Sequence, residues 1–318
     1  MIDTRTVAPP VAPERSIEDA AGRKDPIRRA IDRFGLLRRL VKSNVAQQAI
    51  ESVRGARAVK EPREFLARQL GPTRRVRYHL RRSDQVAVIR HGSRDVHVLN
   101  EIFGGTGGRL AYEPPSALSA MLDSKPSPNI LDLGGNIGMF GLYALHRWPD
   151  ASVRSFEPDA DNAALLHAAI AENRLQAQWA CTRAAVSNRA GTMAFRGGLS
   201  ADSHLVDVES SSGSRAANGD VEVSVADLFT LEGHRDLVKM DIEGGEWAVL
   251  ADPRMADLDA DAIVLEWHDQ GCPAPDPREH VIRLLTEAGW GELYETIEPS
   301  HCGMLWARRS AAPAFTSG

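Results

Sequence analysis

The chain has 318 residues, 43% hydrophobic and 25% charged, enough for one large domain or for a domain with a sizeable extension. Its 38 Lys and Arg against 43 Asp and Glu exclude a wholly basic nucleic-acid binder and an acidic disordered chain, and no apolar run approaches the roughly 18 residues of a membrane-spanning helix. Cys181, Cys272 and Cys302 are odd in number and widely spaced, which argues against a disulfide framework or a structural zinc site and, with an N-terminus lacking the apolar core of a secretory signal, for a cytoplasmic location.

Charge is unevenly spread: residues 1–90 carry 21 Lys and Arg against 10 Asp and Glu, and the remainder 17 against 33. Residues 1–26, rich in Ala, Pro and charge, are expected to form a disordered tail. Over 27–75, Ile27, Ala30, Ile31, Phe34, Leu37, Leu40 and Val41 recur at three- and four-residue steps among Arg28, Arg29, Arg33, Arg38 and Arg39. This predicts a basic helical N-terminal extension. Its arginines read most simply as a solvated face, and they also suit an anionic group, an acidic carrier protein or a second copy of the chain.

A single α/β domain is expected over 76–310, with 311–318 as a tail. From Val76 to Val98 the chain reads as short strands, Val86, Val88 and His91 through Val98 alternating around turn residues. The GGTGG run at 104–108 lacks a following Lys-Ser or Lys-Thr and is no phosphate loop. A helix near Pro115–Leu122 comes next. From Asn129 the pattern alternates: strands at Asn129–Leu133, Ser152–Phe156, Ala177–Cys181, Ala184–Ser187, Val221–Val225, Leu237–Met240 and Ala262–Trp267, and helices at Met139–Arg147, Asp159–Asn173, from Gly245 and over Arg278–Ala288. Thr192–Phe195 suggests a hairpin, 207–220 a flexible loop, and Glu292–Ile297 with Gly303–Ala307 an antiparallel edge. Strands alternating with helices predict a mostly parallel sheet covered on both faces.

Three motifs carry the chemistry. In Ile130-Leu131-Asp132-Leu133-Gly134-Gly135-Asn136-Ile137-Gly138 an apolar strand passes through an acid into a glycine turn that opens a helix. Such a turn lets backbone approach a ligand closely, at the carboxyl edge where open α/β sheets bind. The Asp-x-Gly-Gly-x-x-Gly spacing differs from Gly-x-Gly-x-x-Gly, and its acid suits an α-amino group better than two phosphates. Glu157, in Ser-Phe-Glu-Pro at the end of the next strand, is placed to accept hydrogen bonds from both ribose hydroxyls, and Pro158 stops the strand there. Lys239-Met240-Asp241-Ile242-Glu243-Gly244-Gly245-Glu246 gathers carboxylates at one strand end, where burial is costly unless they are paired. His268, in Glu266-Trp267-His268-Asp269, closes the following strand as a candidate general base.

These segments resemble the FkbM-type family of S-adenosylmethionine-dependent methyltransferases. The Leu131–Gly138 and Phe156-Glu157-Pro158 segments, the Lys239–Glu246 block and Val264-Leu265-Glu266 carry the likeness, with a lead-in at Ile89–Asp95 and Glu101-Ile102-Phe103. The Lys-x-Asp-x-Glu-Gly-x-Glu block is its most specific mark. Gly135 stands where that family often has alanine, and the first 80 or so residues lie outside the resemblance.

The resemblance implies a Rossmann-like seven-stranded sheet, mostly parallel with the last strand antiparallel (the class I methyltransferase fold), and S-adenosylmethionine as cofactor. Asp132, Gly134, Gly135, Asn136 and Gly138 would hold its methionine part, Glu157 and Pro158 the ribose, and Val186, in Ala185-Val186-Ser187, the adenine. Asp241 would lie against the cofactor and, with Glu243, face the methyl group or the acceptor. Asp241, Glu243 and His268 are thus the catalytic candidates. The expected reaction is O-methylation of a hydroxyl on a sugar, polyketide or related metabolite. Methylation of an amine or carboxylate, a cofactor-binding partner protein without activity, and a nicotinamide oxidoreductase are the alternatives, the last disfavoured by the glycine spacing. Asp241, Glu243 and Glu246 offer oxygens to a hard cation but share one turn and are not expected to converge, so no metal is assigned. The acceptor pocket is expected from residues 27–125 and 196–220.

Overall fold

The computed structural model describes residues 44–104, 111–195, 205–206, 221–295 and 302–309. The expected tails at 1–26 and 311–318, the helical pattern of 27–43, residues 105–108 of the GGTGG run and the loop 207–220 lie outside the described residues.

The described chain opens with helices α1 (Asn44–Ala58) and α2 (Pro62–Arg68). Pro62 starts α2 because its missing N–H is one the first turn leaves unbonded anyway. The antiparallel hairpin β1 (Arg75–His79) and β2 (Val86–Arg90) follows. Phe65 of α2, Tyr78 of β1 and His91 stack with ring centroids 5.1–5.6 Å apart, and the Tyr78 hydroxyl meets His91 Nε2 at 2.7 Å.

The alternation of His91 through Val98 predicts a strand, yet β2 ends at Arg90 and helix α3 covers Asp95–Phe103. Gly92, at φ +76, turns the chain. The Asp95 carboxylate, almost wholly buried, then accepts the Arg90 N–H at 2.7 Å and grips the Arg90 guanidinium through both oxygens at 2.9 Å. Beyond that clamp Val96, Leu99, Ile102 and Phe103 are buried at helical spacing.

Helix α4 (Ser116–Asp123) leads into the α/β unit: β3 (Asn129–Leu133), α5 (Met139–Arg147), β4 (Ser152–Phe156), α6 (Ala160–Glu172) and β5 (Trp179–Thr182). Strands β6 (Ala185–Ser187), β7 (Gly191–Phe195), β8 (Leu205–Val206) and β9 (Val221–Asp227) follow. The chain then adds β10 (Arg235–Met240), the short helix α7 (Glu246–Leu250), β11 (Ala260–His268), α8 (Pro277–Glu287), β12 (Trp290–Glu295) and β13 (Cys302–Arg309).

Seven strands form the central sheet in the order β12-β13-β11-β10-β3-β4-β5. The pairs β11–β10, β10–β3, β3–β4 and β4–β5 are parallel, and β13 runs antiparallel to both β11 and β12. The expected antiparallel hairpin is therefore present, but β13 sits inside the sheet and β12 forms the edge. Strands β6, β9, β7 and β8 make a separate small sheet.

Alternate residues of each strand feed two cores. Ile130, Val153, Leu237 and Val264 pack with α5 and α6 on one face, and Leu131, Leu133, Val238, Ile263 and Leu265 pack with α7 and α8 on the other. From β3 the chain steps to β4 on one side and later reaches β10 on the other. That reversal opens a crevice at the carboxyl ends of β3 and β10. Among the described residues, no helix is long and apolar enough to cross a membrane.

Candidate functional site

The glycine turn follows β3 directly. Its backbone enters the left-handed region at Gly134 (φ +78), Asn136 (φ +48) and Gly138 (φ +86). The N–H groups of Gly134 and Gly135 both donate to the Phe156 carbonyl at the end of β4, at 3.0 and 2.9 Å. Asn136 is held in its unfavourable conformation by donating its N–H to Glu157 Oε2 at 2.7 Å, while the other Glu157 oxygen accepts from Asp159 N–H at 2.9 Å. Glu157 thus ties turn and strand end together with its carboxylate at the cleft wall. Burial pushes its pKa up to about 7, against the two backbone donors that favour the charged form.

Beneath the turn lies a buried polar relay. Trp179 Nε1 donates to Ser155 Oγ at 2.9 Å, and Ser155 Oγ donates to Asp132 Oδ2 at 2.6 Å. Lys239 donates to the carbonyls of Gly134 and Leu133 at 2.5 and 3.3 Å, with its ammonium 3.4 Å from Asp132 Oδ1 and 3.5 Å from Asp241 Oδ2. Burial works against the lysine charge, and the Asp241 and Asp132 carboxylates outweigh it, holding its pKa above the usual value. The Lys-x-Asp spacing brings this about: Lys239 is the penultimate residue of β10 and Asp241 follows directly after the strand's end.

Two cavities meet at this strand edge. The first takes in Gly134, Asn136, Glu157 and Pro158, the apolar Phe156, Val186 and Ile242, and Asp241 with Glu243. Its far side is formed by Arg90, Arg94 and Asp95. The second shares Arg94, Gly134, Asn136, Asp241 and Glu243 and adds Gly135, Glu101, Tyr112, Glu266, His268 and Cys302. Asp241, Glu243 and His268 come together, with His268 Nε2 3.5 Å from Glu243 Oε2 and one ligand-type atom of each residue within 4.8 Å of the others. Of the expected cofactor contacts, Asp132 and Gly138 line neither cavity. Asp132 is wholly buried in the relay, and Gly138 lies under Trp179, whose Cη2 a Cβ there would meet at 2.9 Å.

The second cavity gathers four carboxylates, with Arg94, His97 and Lys239 also on its wall. Burial, reinforced by the Asp241 charge, raises Glu243 and Glu266 to about 8 and also lifts Glu101. His268 is oriented by Glu246, a fully buried residue whose Oε1 accepts the His268 backbone N–H at 2.8 Å and meets its Nδ1 at 3.1 Å. Burial alone would lower the imidazole, but the Glu246, Asp241 and Glu243 carboxylates raise it to about 9.

Residues 132–290 match the family described as the methyltransferase FkbM domain. The chain belongs to the FkbM methyltransferase family. Methyltransferase sdnD of Sordaria araneosa is 27% identical over 217 residues, 58% of this chain and 82% of that relative. The FkbM methyltransferase structure from Methylobacillus flagellatus KT aligns with a TM-score of 0.40 and 12% identity, over 57% of this chain and 44% of that one. An O-methyltransferase family protein from Burkholderia thailandensis gives 0.38 and 13%, over 62% and 55%. The chain thus spans less than half of the first solved structure.

In this FkbM methyltransferase, the site residues that sequence reasoning did not single out come, apart from Cys302, from the lead-in segments and the 27–125 stretch expected to build the acceptor pocket. Arg90, Arg94 and Asp95 reach the first cavity from β2 and α3, and Glu101 and Tyr112 reach the second. The conflict between apolar alternation and the charged Arg90-His91-Gly92-Ser93-Arg94-Asp95 run was the available signal for the first three. Cys302 arrives through the β13 pairing, which places it opposite His268.

Proposed function

We propose that this methyltransferase uses S-adenosylmethionine to methylate a hydroxyl oxygen of a sugar or secondary-metabolite scaffold. The supporting observation is one continuous crevice in which the glycine turn, Glu157 and Asp241 meet an acidic cavity. The donor set fits an adenosyl amino acid: Glu157 for ribose hydroxyls, Phe156 and Val186 for a flat apolar base and Asp241 for an ammonium. When bound, the cofactor supplies a methyl group already activated on a sulfonium.

The chain's own residues then hold the acceptor in line, which removes much of the barrier. Asp241, Glu243 and His268 orient the acceptor hydroxyl, and a carboxylate of the group is placed to receive its proton. They stand where the two cavities join, and the carboxylates are acceptors for the hydrogen bonds a polyol offers. Methylation of an amine is the second reading, favoured by the surplus of carboxylates, which would also hold a cationic acceptor. The three cysteines are free thiols, in keeping with a cytoplasmic enzyme.

Calorimetric titration with S-adenosylmethionine and S-adenosylhomocysteine, beside Glu157→Ala, tests the cofactor. Binding that the substitution weakens supports the assignment, and no binding to the parent protein removes it. Transfer of labelled methyl to a panel of polyols and amines then separates oxygen from nitrogen. Asp241→Asn and His268→Ala test the catalytic assignment, and turnover near the parent's in both would remove it.

A further inference from the structure

The methyl-transfer reading gives no role to Glu101 and Glu266 on the wall of the second cavity. Glu101, Asp241, Glu243 and Glu266 line it together. Glu101 has no side-chain hydrogen bond or ion pair among the described residues. Lys239 spends its hydrogen bonds on the carbonyls of Gly134 and Leu133 and approaches Asp241 only to 3.5 Å. Tyr112 is a second, separate oddity. It is 2% exposed, lines the same cavity, and its hydroxyl has no hydrogen-bond partner among the described residues.

The opposite edge of the sheet shows how this chain neutralises such a cluster. There His234, Asp236 and Asp261 also converge, but Lys125 places its ammonium 2.8 Å from both Asp236 Oδ1 and Asp261 Oδ2. At the carboxyl edge the Lys239 ammonium comes only to 3.5 Å from Asp241 Oδ2 and is turned to the Gly134 and Leu133 carbonyls. The ligand-type atoms of Asp241, Glu243 and His268 lie within 4.8 Å of one another, against about 4–5 Å between opposite ligands of a six-coordinate divalent ion. The sequence-level objection was that three carboxylates on one turn do not converge. It holds for Glu246, which turns inward to His268 and Gly244 N–H. His268, from the next strand, takes its place. The buried Glu246 carboxylate on Nδ1 leaves Nε2 facing Glu243, the outer-shell arrangement that orients metal-bound imidazoles.

We propose that Asp241, Glu243 and His268 form a divalent-cation site of the Mg²⁺ or Mn²⁺ class, placed to hold the oxygen of the methyl acceptor. Two carboxylates and one imidazole, with no thiolate in the set, suit a hard to borderline ion. Three protein ligands leave open positions for acceptor oxygen and water. A bound cation lowers the cost of removing the hydroxyl proton. The acceptor role rests on the methyltransferase reading, whereas the cation site itself does not.

The test is titration of the chelator-stripped full chain with Mn²⁺, followed by loss of the free-ion electron paramagnetic resonance signal. Saturable binding of one ion per chain is expected. Asp241→Asn and His268→Gln, each first shown by circular dichroism to melt as the parent does, should weaken it at least about tenfold. Glu243→Gln gives a third variant should either fail to fold. No saturable binding to the parent, or unchanged affinity in the folded variants, overturns the site. Calorimetry with S-adenosylhomocysteine on the same stripped protein separates the two readings: cofactor binding without Mn²⁺ binding removes the cation alone, and Mn²⁺ binding without cofactor binding removes the methyltransferase assignment alone.

Discussion

Gly134→Ala probes the contact on which the whole crevice rests. A Cβ at Gly134 would stand 1.8 Å from the Asp241 carbonyl oxygen and 2.9 Å from its carbonyl carbon, where ordinary contact begins at 3.4 Å. Both neighbours are backbone, so no rotamer change relieves the clash. The φ of +78 at this position adds roughly 1–2 kcal/mol for any residue with a Cβ. Moving the turn away from β10 weakens the 3.1 Å bond from Asp241 N–H to the Leu133 carbonyl and the 2.5 Å bond from Lys239 to the Gly134 carbonyl, each worth about 1–2 kcal/mol. The expected loss of stability is about 3–5 kcal/mol, read by urea unfolding. Calorimetry should show S-adenosylhomocysteine affinity reduced by at least about 100-fold in whatever folds. Gly135→Ala is the internal comparison. Its Cβ would meet Leu166 Cδ1 at 2.8 Å, the end of a flexible side chain, and Ser155 Cβ at 3.1 Å, so it should cost below about 2 kcal/mol. A Gly134→Ala protein within about 1 kcal/mol of the parent, binding cofactor as the parent does, would refute the reasoning.

Glu157→Gln should reduce cofactor affinity roughly 10- to 100-fold, the worth of a charge-assisted hydrogen bond, by calorimetry. Because Glu157 rises from 4.5 to about 7 on folding, the folded state binds its proton more tightly. Its contribution is therefore fully present below pH 4.5 and lost as pH climbs through 7. The parent-minus-variant unfolding free energy should fall by roughly 3 kcal/mol over that window, and a flat difference would contradict the burial argument. Lys239→Met leaves Asp132 and Asp241 without their shared ammonium and should cost about 3–5 kcal/mol in urea unfolding. Asn173→Ala removes the side chain that accepts the Val86 N–H and donates to the Val86 carbonyl, at 2.7 and 2.8 Å. It should speed hydrogen exchange in β1 and β2 while sparing β3 and β10, and unchanged exchange in the hairpin would remove Asn173 as its anchor.

The central sheet was legible because parallel strands buried on both faces read as apolar runs: Ile130-Leu131, Leu237-Val238 and Ile263-Val264-Leu265 declare themselves without context. The carboxyl-edge acids were legible for the same reason, since each ends such a run. The segment His91–Val98 misled because Val96 and Val98 repeat the period-two spacing of Val86 and Val88, and the decisive interaction, Asp95 closing on Arg90, is a side-chain clamp that periodicity does not encode. Asp132 looked like a ligand contact from its place in the motif. Its partners Ser155 and Lys239, and Trp179 behind Ser155, come from three other strands, and only folding shows the carboxylate committed beneath the turn. The meeting of Glu243 with His268 has the same origin, since parallel neighbours β10 and β11 align their ends through pairing register.

The place of β13 bears on how the molecule is assembled. Strand β12 is made first, but it joins the sheet only through β13, which must enter between β12 and β11. During synthesis the exposed edge of β11, with Ile263, Val264 and Leu265 along it, therefore waits for the last described segment of the chain. Such an unpaired apolar edge is a template for misassociation. Chains interrupted before Cys302 would lose two strands rather than one and leave that edge open, so rapid delivery of the C-terminal hairpin, or a chaperone that shields β11 meanwhile, sets the yield of soluble enzyme.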